Sequence, residues 1–183
     1  VARAATQQFS PTAGALITGT AVANSATNVG SYRGALATDN IFWSALRTTT
    51  GLDMQVDIGS VALSGSNKMI ITSETANVTT ANAYVVQICD WVSTTGVNNA
   101  ADARCTGGGW RTLNNPKATA FTNTADATTT FEVYDGYFFT STNPGTKVST
   151  PLSNFISSGT VRIRYYSTVN STVQFNLDRV QLE

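Results

Sequence analysis

This 183-residue chain contains no histidine, the side chain that most often serves as a general base near neutral pH. Its absence excludes Ser-His-Asp and Cys-His catalytic sites. A Ser–Lys site would need a lysine in an S-x-x-K pattern. None of the lysines has that context: Lys68, Lys117 and Lys147. Nucleophilic catalysis is therefore not expected.

Paired carboxylates are the remaining route to catalysis, because glycosidases need only two of them at a suitable separation. The available combination is Glu132 with Asp57 or Asp135. All three also fit the pattern of ordinary solvated strand and turn residues. We therefore predict that the protein is not an enzyme.

Two cysteines, Cys89 and Cys105, flank a polar segment. Their spacing matches no zinc site. An even cysteine count, in a chain where Ser and Thr supply about a quarter of the residues, is typical of a disulfide formed in an oxidising compartment. Closing this loop would stabilise the fold by about 3 kcal/mol. The alternative is a pair of buried free thiols.

The segment between the cysteines also offers oxygen ligands of the kind that calcium prefers. The weak candidates for a structural calcium site are Asp90, Asn98 and Asp102. No EF-hand or other fixed ligand spacing is present, and ordinary Asx turns explain the same residues. No other cofactor is expected.

Three tryptophans, Trp43, Trp91 and Trp110, could form a surface on which sugar rings stack. Trp110 follows three glycines, Gly107–Gly109, and a glycine-rich loop can lift a ring towards solvent. Packing in the core is the alternative for Trp43 and Trp91, and packing at an edge is the alternative for Trp110.

Two N-x-S/T sequons could carry N-linked glycans in a secreted protein, one at Asn77 and the other at Asn170. Their number is no more than chance would give in a chain so rich in Ser and Thr. Asn170 lies where the sequence predicts a hairpin turn, so attachment there would be sterically feasible.

Charge and hydropathy limit the partners. The formal net charge is +0, with 11 basic and 11 acidic residues. Nucleic acid and anionic membranes are poor partners for such a chain, because binding them requires a basic excess. No apolar run approaches the roughly 18 residues of a membrane span. Near-zero charge leaves little repulsion between copies, which favours self-association.

Alternation of apolar and polar residues predicts a single all-β domain over residues 1–183, a jelly-roll-like sandwich of about eight or more antiparallel strands. The predicted strands are Gly14–Val22, Met54–Ile58, Lys68–Thr72, Tyr84–Trp91, Thr129–Tyr134, Tyr137–Phe139, Val161–Tyr166 and Val173–Leu182. Asp135-Gly136 predicts a hairpin turn. A change of phase near Asp178-Arg179 predicts a β-bulge, and Leu152–Ile156 could form a short helix.

Two stretches, Ala37–Trp43 and Met54–Ser60, resemble the discoidin-type and galactose-binding-like jelly rolls. The closing stretch Val173–Glu183 is similar to the last strand of many secreted carbohydrate-binding modules. The resemblance implies a secreted jelly roll. The chain departs from discoidin domains in having both cysteines in its middle rather than at its ends.

The first 22 residues form either an N-terminal arm or a first strand. An arm could pair with the open edge of a neighbouring copy and build a filament, whereas a first strand would pair within its own sheet. The opening Val1-Ala2-Arg3, without an initiator Met, suggests a processed mature chain or a trimmed one.

These observations favour a secreted, non-catalytic structural protein that assembles with itself into a surface filament or layer by β-strand addition. In that case, removing Val1–Phe9 should abolish assembly. The alternative is a carbohydrate-binding module that binds a polysaccharide through an aromatic surface.

Overall fold

The computed structural model describes residues 7–22, 43–62, 68–75, 85–92, 104–113, 127–135, 138–139, 147–148, 150–167 and 174–183. These residues lie almost entirely in strands. In chain order the strands are β1 Pro11–Thr18, β2 Thr20–Ala21, β3 Trp43–Leu46, β4 Leu52–Ile58, β5 Lys68–Thr75, β6 Val85–Asp90, β7 Gly109–Thr112, β8 Ala127–Tyr134, β9 Phe138–Phe139, β10 Lys147–Val148, β11 Val161–Ser167 and β12 Gln174–Leu182. A 3-10 helix, Leu152–Phe155, precedes β11 and confirms the short helix expected there.

Two five-stranded sheets make up the sandwich. The first sheet has the order β1-β4-β11-β6-β7 and the second has the order β2-β3-β12-β5-β8. All pairs of neighbouring strands are antiparallel. Successive strands β3 to β6 alternate between the sheets, and β11 and β12 return to the middle of each, as in a jelly roll. The predicted fold class is confirmed.

The core lies between the sheets and follows the alternation of the sequence. Leu52, Met54, Val56 and Ile58 of β4 point inwards and are 0% exposed, while residues between them form the outer face of the first sheet. Each such side chain contributes about 1.5–3 kcal/mol through burial. The second sheet supplies the opposing residues, among them Trp43, Ile71, Phe131, Phe175 and Leu177.

A hydrogen bond between two described residues links the sheets through this core. The Tyr165 hydroxyl on β11 lies 2.7 Å from the Ser73 hydroxyl on β5, and the Tyr165 ring packs against Phe175. Burial raises the pKa of the Tyr165 phenol well above its usual range. The polar end of this ring is thereby paired, which is what a buried hydroxyl requires.

The N-terminal segment belongs to both sheets rather than to one strand. β1 pairs with β4 in the first sheet, and β2 pairs with β3 in the second. The chain crosses between them at Gly19, whose φ of +122° strongly favours glycine. Phe9 bridges to Leu182 at the end of β12. The single strand predicted over Gly14–Val22 is therefore two short strands, one in each sheet. Residues 1–6 lie outside the described residues.

Two details near the later strands were expected from the sequence, a bulge in the last strand and a hairpin after β8. The register of β12 against β5 shifts between Leu177 and Arg179, which confirms the bulge. Among the described residues, β9 pairs with β10 and not with β8. Gly136 and Tyr137 of the predicted Asp135-Gly136 hairpin lie outside the described residues.

Candidate interaction site

The disulfide between Cys89 and Cys105 is present, with the two Cα atoms 5.7 Å apart. Cys89 lies on β6 and is paired in register with Trp110 on β7. Both sulfurs pack with Trp110 in a small cluster outside the main core, with Trp91 against it. The disulfide is thus confirmed, and the alternative of two free thiols is wrong.

Trp110 is fully buried beneath an arginine. The Arg164 guanidinium carbon lies 4.4 Å from the centre of the Trp110 ring and 4.3 Å from that of Tyr166. Its Nε donates to Gln87 Oε1 at 2.6 Å. The indole is 0% exposed, so no sugar can stack on it. The prediction of surface binding by Trp110 is wrong for this reason, and the glycines before it bring the backbone close instead of lifting the ring outwards.

The other two tryptophans do not supply a sugar-binding surface with it. Trp43 is 2% exposed and belongs to the core between the sheets, so its predicted sugar contact is also wrong. Trp91 is partly exposed, and the Arg162 guanidinium carbon lies 5.2 Å from its ring centre. These rings share no exposed surface.

Asp90 is engaged by protein groups. Its carboxylate forms a buried ion pair with Arg111 at 2.7 Å and accepts a hydrogen bond from the Val92 amide at 3.0 Å. The second contact is the Asx turn that the sequence offered as the alternative to calcium. In the described part of the chain, no three His, Cys, Asp or Glu side chains come close enough to hold a metal ion. Asn98 and Asp102 lie outside that part.

Asp57 and Glu132, one of the two carboxylate pairs considered for glycosidase chemistry, lie on different sheets. Asp57, on the first sheet, binds Arg162 through both carboxylate oxygens at 2.5 and 2.7 Å. Glu132 lies on the second sheet. Asp135 accepts the Leu152 amide at 2.9 Å and so supports the start of the 3-10 helix. Each group has a structural role where it lies.

The two sequon residues, Asn77 and Asn170, lie outside the described residues. The sequence analysis did not predict the buried arginines, Arg111 on β7 and Arg164 on β11. The signal was present, since Arg162 and Arg164 alternate along β11 opposite the alternating Asp53, Gln55 and Asp57 of β4.

The open edge of the second sheet is the surface best suited to an interaction. β8 pairs with β5 over eight consecutive positions without a register shift. Thr128, Thr130, Glu132 and Tyr134 are exposed, whereas Phe131 and Val133 face the core. No strand among the described residues lies on the outer side of β8.

The hydrogen bonds between β5 and the residue that follows β12 show which backbone groups of β8 face outwards. The amide and carbonyl of Ile70 bond to Glu183, beyond the end of β12, at 2.8 Å each. Since neighbouring residues of a strand point their polar groups to opposite sides, Ile71 points to its partner Phe131. The N–H and C=O groups of Thr130 and Glu132 consequently point away from the sheet.

A small charged cluster lies on the exposed face of this edge. Lys68 Nζ is 2.9 Å from Glu132 Oε1, and the Tyr134 hydroxyl donates to Glu132 Oε2 at 2.5 Å. The Tyr134 hydrogen bond, followed by that of Lys68, holds the pKa of the Glu132 carboxyl below its ordinary value. The same carboxylate raises the pKa of Lys68 and that of Tyr134. The edge therefore presents one balanced ion pair and no excess charge.

The other sheet edges are less suited to pairing. β2 has only two residues, and β7 has four that are all buried. β1 begins with a proline, which lacks an N–H, and its register against β4 shifts near both ends. Proline, irregular register and short length are features by which proteins protect sheet edges. β8 has none of them, and a regular open edge can accept an added strand.

Comparison with protein-family models and with curated proteins finds no match. Solved structures that resemble the chain include two adhesin domains of one protein. The K3 cleaved adhesin domain of Lys-gingipain from Porphyromonas gingivalis is 12% identical over 96% of this chain and 93% of that one, with a TM-score of 0.42. The K1 cleaved adhesin domain of the same protein is 15% identical over 76% and 73%, with a TM-score of 0.34. Similarity this low does not imply a shared function.

Proposed function

We propose that this chain is a non-catalytic extracellular structural protein whose copies associate by β-strand addition, building a surface filament or layer. The observation that carries the proposal is the edge strand β8, which is regular over eight residues and has no strand on its outer side among the described residues. An added strand would gain main-chain hydrogen bonds along that edge.

The disulfide supports an extracellular location. Disulfides persist in oxidising compartments and are rare where thiols are kept reduced. The Cys89–Cys105 bond also secures β6 to the loop that precedes β7. No helix among the described residues is long and apolar enough to cross a membrane.

The contacts of the titratable side chains support a structural role. Asp57, Asp90 and Glu132 are each held by an arginine or a lysine. In each case the carboxylate is used in a contact within the fold. With no histidine in the chain, these groups fit a role in holding the fold.

The alternative is polysaccharide binding through an aromatic surface. The tryptophans that suggested such a surface do not form one. Trp43 and Trp110 are buried, and sugar stacking requires an exposed ring face.

The test is to replace Thr130 with proline and follow assembly by sedimentation velocity and negative-stain microscopy. The Thr130 N–H points away from β5, so Thr130→Pro should leave the sheet intact while removing a donor from the open edge. Thr130→Ala, which keeps that N–H, is the matched control.

We expect the parent chain and Thr130→Ala to assemble and Thr130→Pro to lose the association through β8 and form no filament or layer, with circular dichroism showing that all three are folded. A parent chain that stays monomeric at high concentration would refute the proposed self-association. Full assembly of Thr130→Pro would refute strand addition at β8.

A further inference from the structure

The open edge can be assigned a specific occupant, an inference that rests on the proposed function. We propose that β8 pairs with β8 of a second copy, antiparallel, about a two-fold axis that passes beside Phe131. The second sheet of one copy and the second sheet of the other then form one continuous sheet across the contact.

The backbone pattern of β8 permits this pairing. In an antiparallel ladder, two residues exchange hydrogen bonds when both point their polar groups at the shared edge. On β8 these are the residues with even numbers, as the Ile70–Glu183 bonds establish. An axis beside Phe131 sets Thr128 opposite Tyr134 of the partner copy and Thr130 opposite Glu132 of the partner copy. Two bonds for each of the four opposed pairs give about eight hydrogen bonds between copies.

The side chains favour the same register. Each Glu132 faces an uncharged threonine of the partner copy, while its own Lys68 balances its charge. Each Tyr134 faces a β-branched Thr128, a favourable cross-strand combination. The two copies carry no net charge, so they do not repel one another as they approach.

Neighbouring registers are worse on the same grounds. An axis through Glu132 would place the two Glu132 carboxylates directly opposite each other, and like charges in that position are destabilising. An axis through Thr130 would take Tyr134 beyond the end of the partner strand, because the residue opposite it would be Asp126, before β8 begins. The axis beside Phe131 uses the whole of the exposed edge.

A two-fold contact of this kind closes on itself. The repeating unit of the proposed filament or layer is therefore a pair of copies, and growth beyond the pair requires a second contact elsewhere on the surface.

Charge substitutions at Thr130 test the register. Thr130→Glu places two like-charged pairs across the contact, whereas Thr130→Lys places two opposite-charged pairs there. We expect Kd of the pair, measured by sedimentation equilibrium, to rise about tenfold for Thr130→Glu and to fall for Thr130→Lys. The matched control is Thr20→Glu, an exposed threonine at the opposite edge of the same sheet, which should leave Kd unchanged.

Dipolar electron paramagnetic resonance tests the symmetry independently. With Thr130→Cys carrying a spin label, the two labelled Cβ atoms of a pair should lie about 8 Å apart. With Thr128→Cys they should lie about 20 Å apart, because the labelled positions are then near opposite ends of the paired strands.

The outcomes separate this inference from the proposed function. Association that ignores the charge at Thr130 and shows no short distance there would overturn the β8–β8 pair while leaving self-association intact. Such a result would point to a different strand on β8, such as an N-terminal segment of a neighbour. A parent chain that never associates would overturn both.

Discussion

At the scale of single residues, the outer face of the first sheet is filled by an arginine and two aromatic rings. Arg164 is 1% exposed and lies between Trp110 and Tyr166, with Gln87 accepting from its Nε. A buried guanidinium is costly unless its donors are satisfied. The ring contacts and hydrogen bonds together offset that cost, so Trp110 serves stability.

Replacement of Trp110 by alanine should therefore lower the free energy of unfolding rather than remove a ligand contact. Loss of a fully buried tryptophan costs about 3–5 kcal/mol, which urea unfolding would show as a lower midpoint. Trp91→Ala, at a partly exposed ring, should cost clearly less. Equal stability of Trp110→Ala and the parent chain would contradict the burial of this ring.

The Glu132 cluster makes a prediction about titration. The pKa of the Glu132 carboxyl is lowered in the folded state. The contribution of this carboxylate to stability is therefore present above its unfolded pKa and is lost as pH falls through its folded pKa. The pKa of Lys68 is raised, so its contribution is present below its unfolded pKa and is lost as pH rises through the folded value.

The Tyr134 hydrogen bond is the largest cause of the low Glu132 pKa. Tyr134→Phe should therefore raise that pKa towards its ordinary value, as measured from the carboxyl carbon shift in an NMR titration. Tyr166→Phe, on the other sheet, is the control and should leave the Glu132 titration in place. An unchanged curve for Tyr134→Phe would show that the hydroxyl does not bind the carboxylate in solution.

At the scale of elements, the loop before β7 depends on a glycine. A Cβ at Gly108 would lie 1.6 Å from the carbonyl oxygen of Asp90, far inside van der Waals contact. Gly108→Ala should force β6 and β7 apart and disturb the disulfide beside them. We expect a loss of soluble folded protein or a large fall in melting temperature.

Gly159→Ala is the comparison for that experiment. Gly159 has a φ of +74°, but its nearest neighbour would be 3.7 Å from a new Cβ. Only backbone strain of about 1 kcal/mol is expected there. Melting temperatures that fell equally for both variants would show that the close approach at Gly108 is not the deciding factor.

Sequence patterns predicted elements well where one face of a strand meets the core. The alternation in Met54–Ile58 and Val161–Tyr166 gave both strands and their buried faces, and the phase change near Asp178 gave the bulge. Burial of Trp110 and Arg164 could not be predicted in this way, because it depends on the pairing of β6 with β7 and of β11 with β6. The position of β8 at a sheet edge is likewise a property of topology and leaves no local signal.

At the scale of the whole molecule, the N-terminal segment contributes to stability. Phe9 packs against the core and exchanges two backbone hydrogen bonds with Leu182 at 2.8 and 3.0 Å. Gln8 donates to the Glu183 carboxylate at 2.9 Å. These contacts attach the segment to the end of β12.

Deletion of Val1–Phe9 should consequently lower the free energy of unfolding, while association through β8 persists. This differs from the expectation that the same deletion would abolish assembly. Deletion of residues 1–6, which keeps Gln8 and Phe9, is the matched control and should preserve stability. Loss of assembly in both deletions, with stability unchanged, would instead support assembly through an N-terminal arm.

The crossing at Gly19 should couple the opening of the two sheets. Residues on either side of it are bound to different sheets, so lifting this stretch of chain exposes one border of each layer in the same event. Hydrogen–deuterium exchange should then find that the amide of Val22, which donates to Ser44 in the second sheet, and the amide of Ala15, paired with Gln55 in the first sheet, open with a shared free energy.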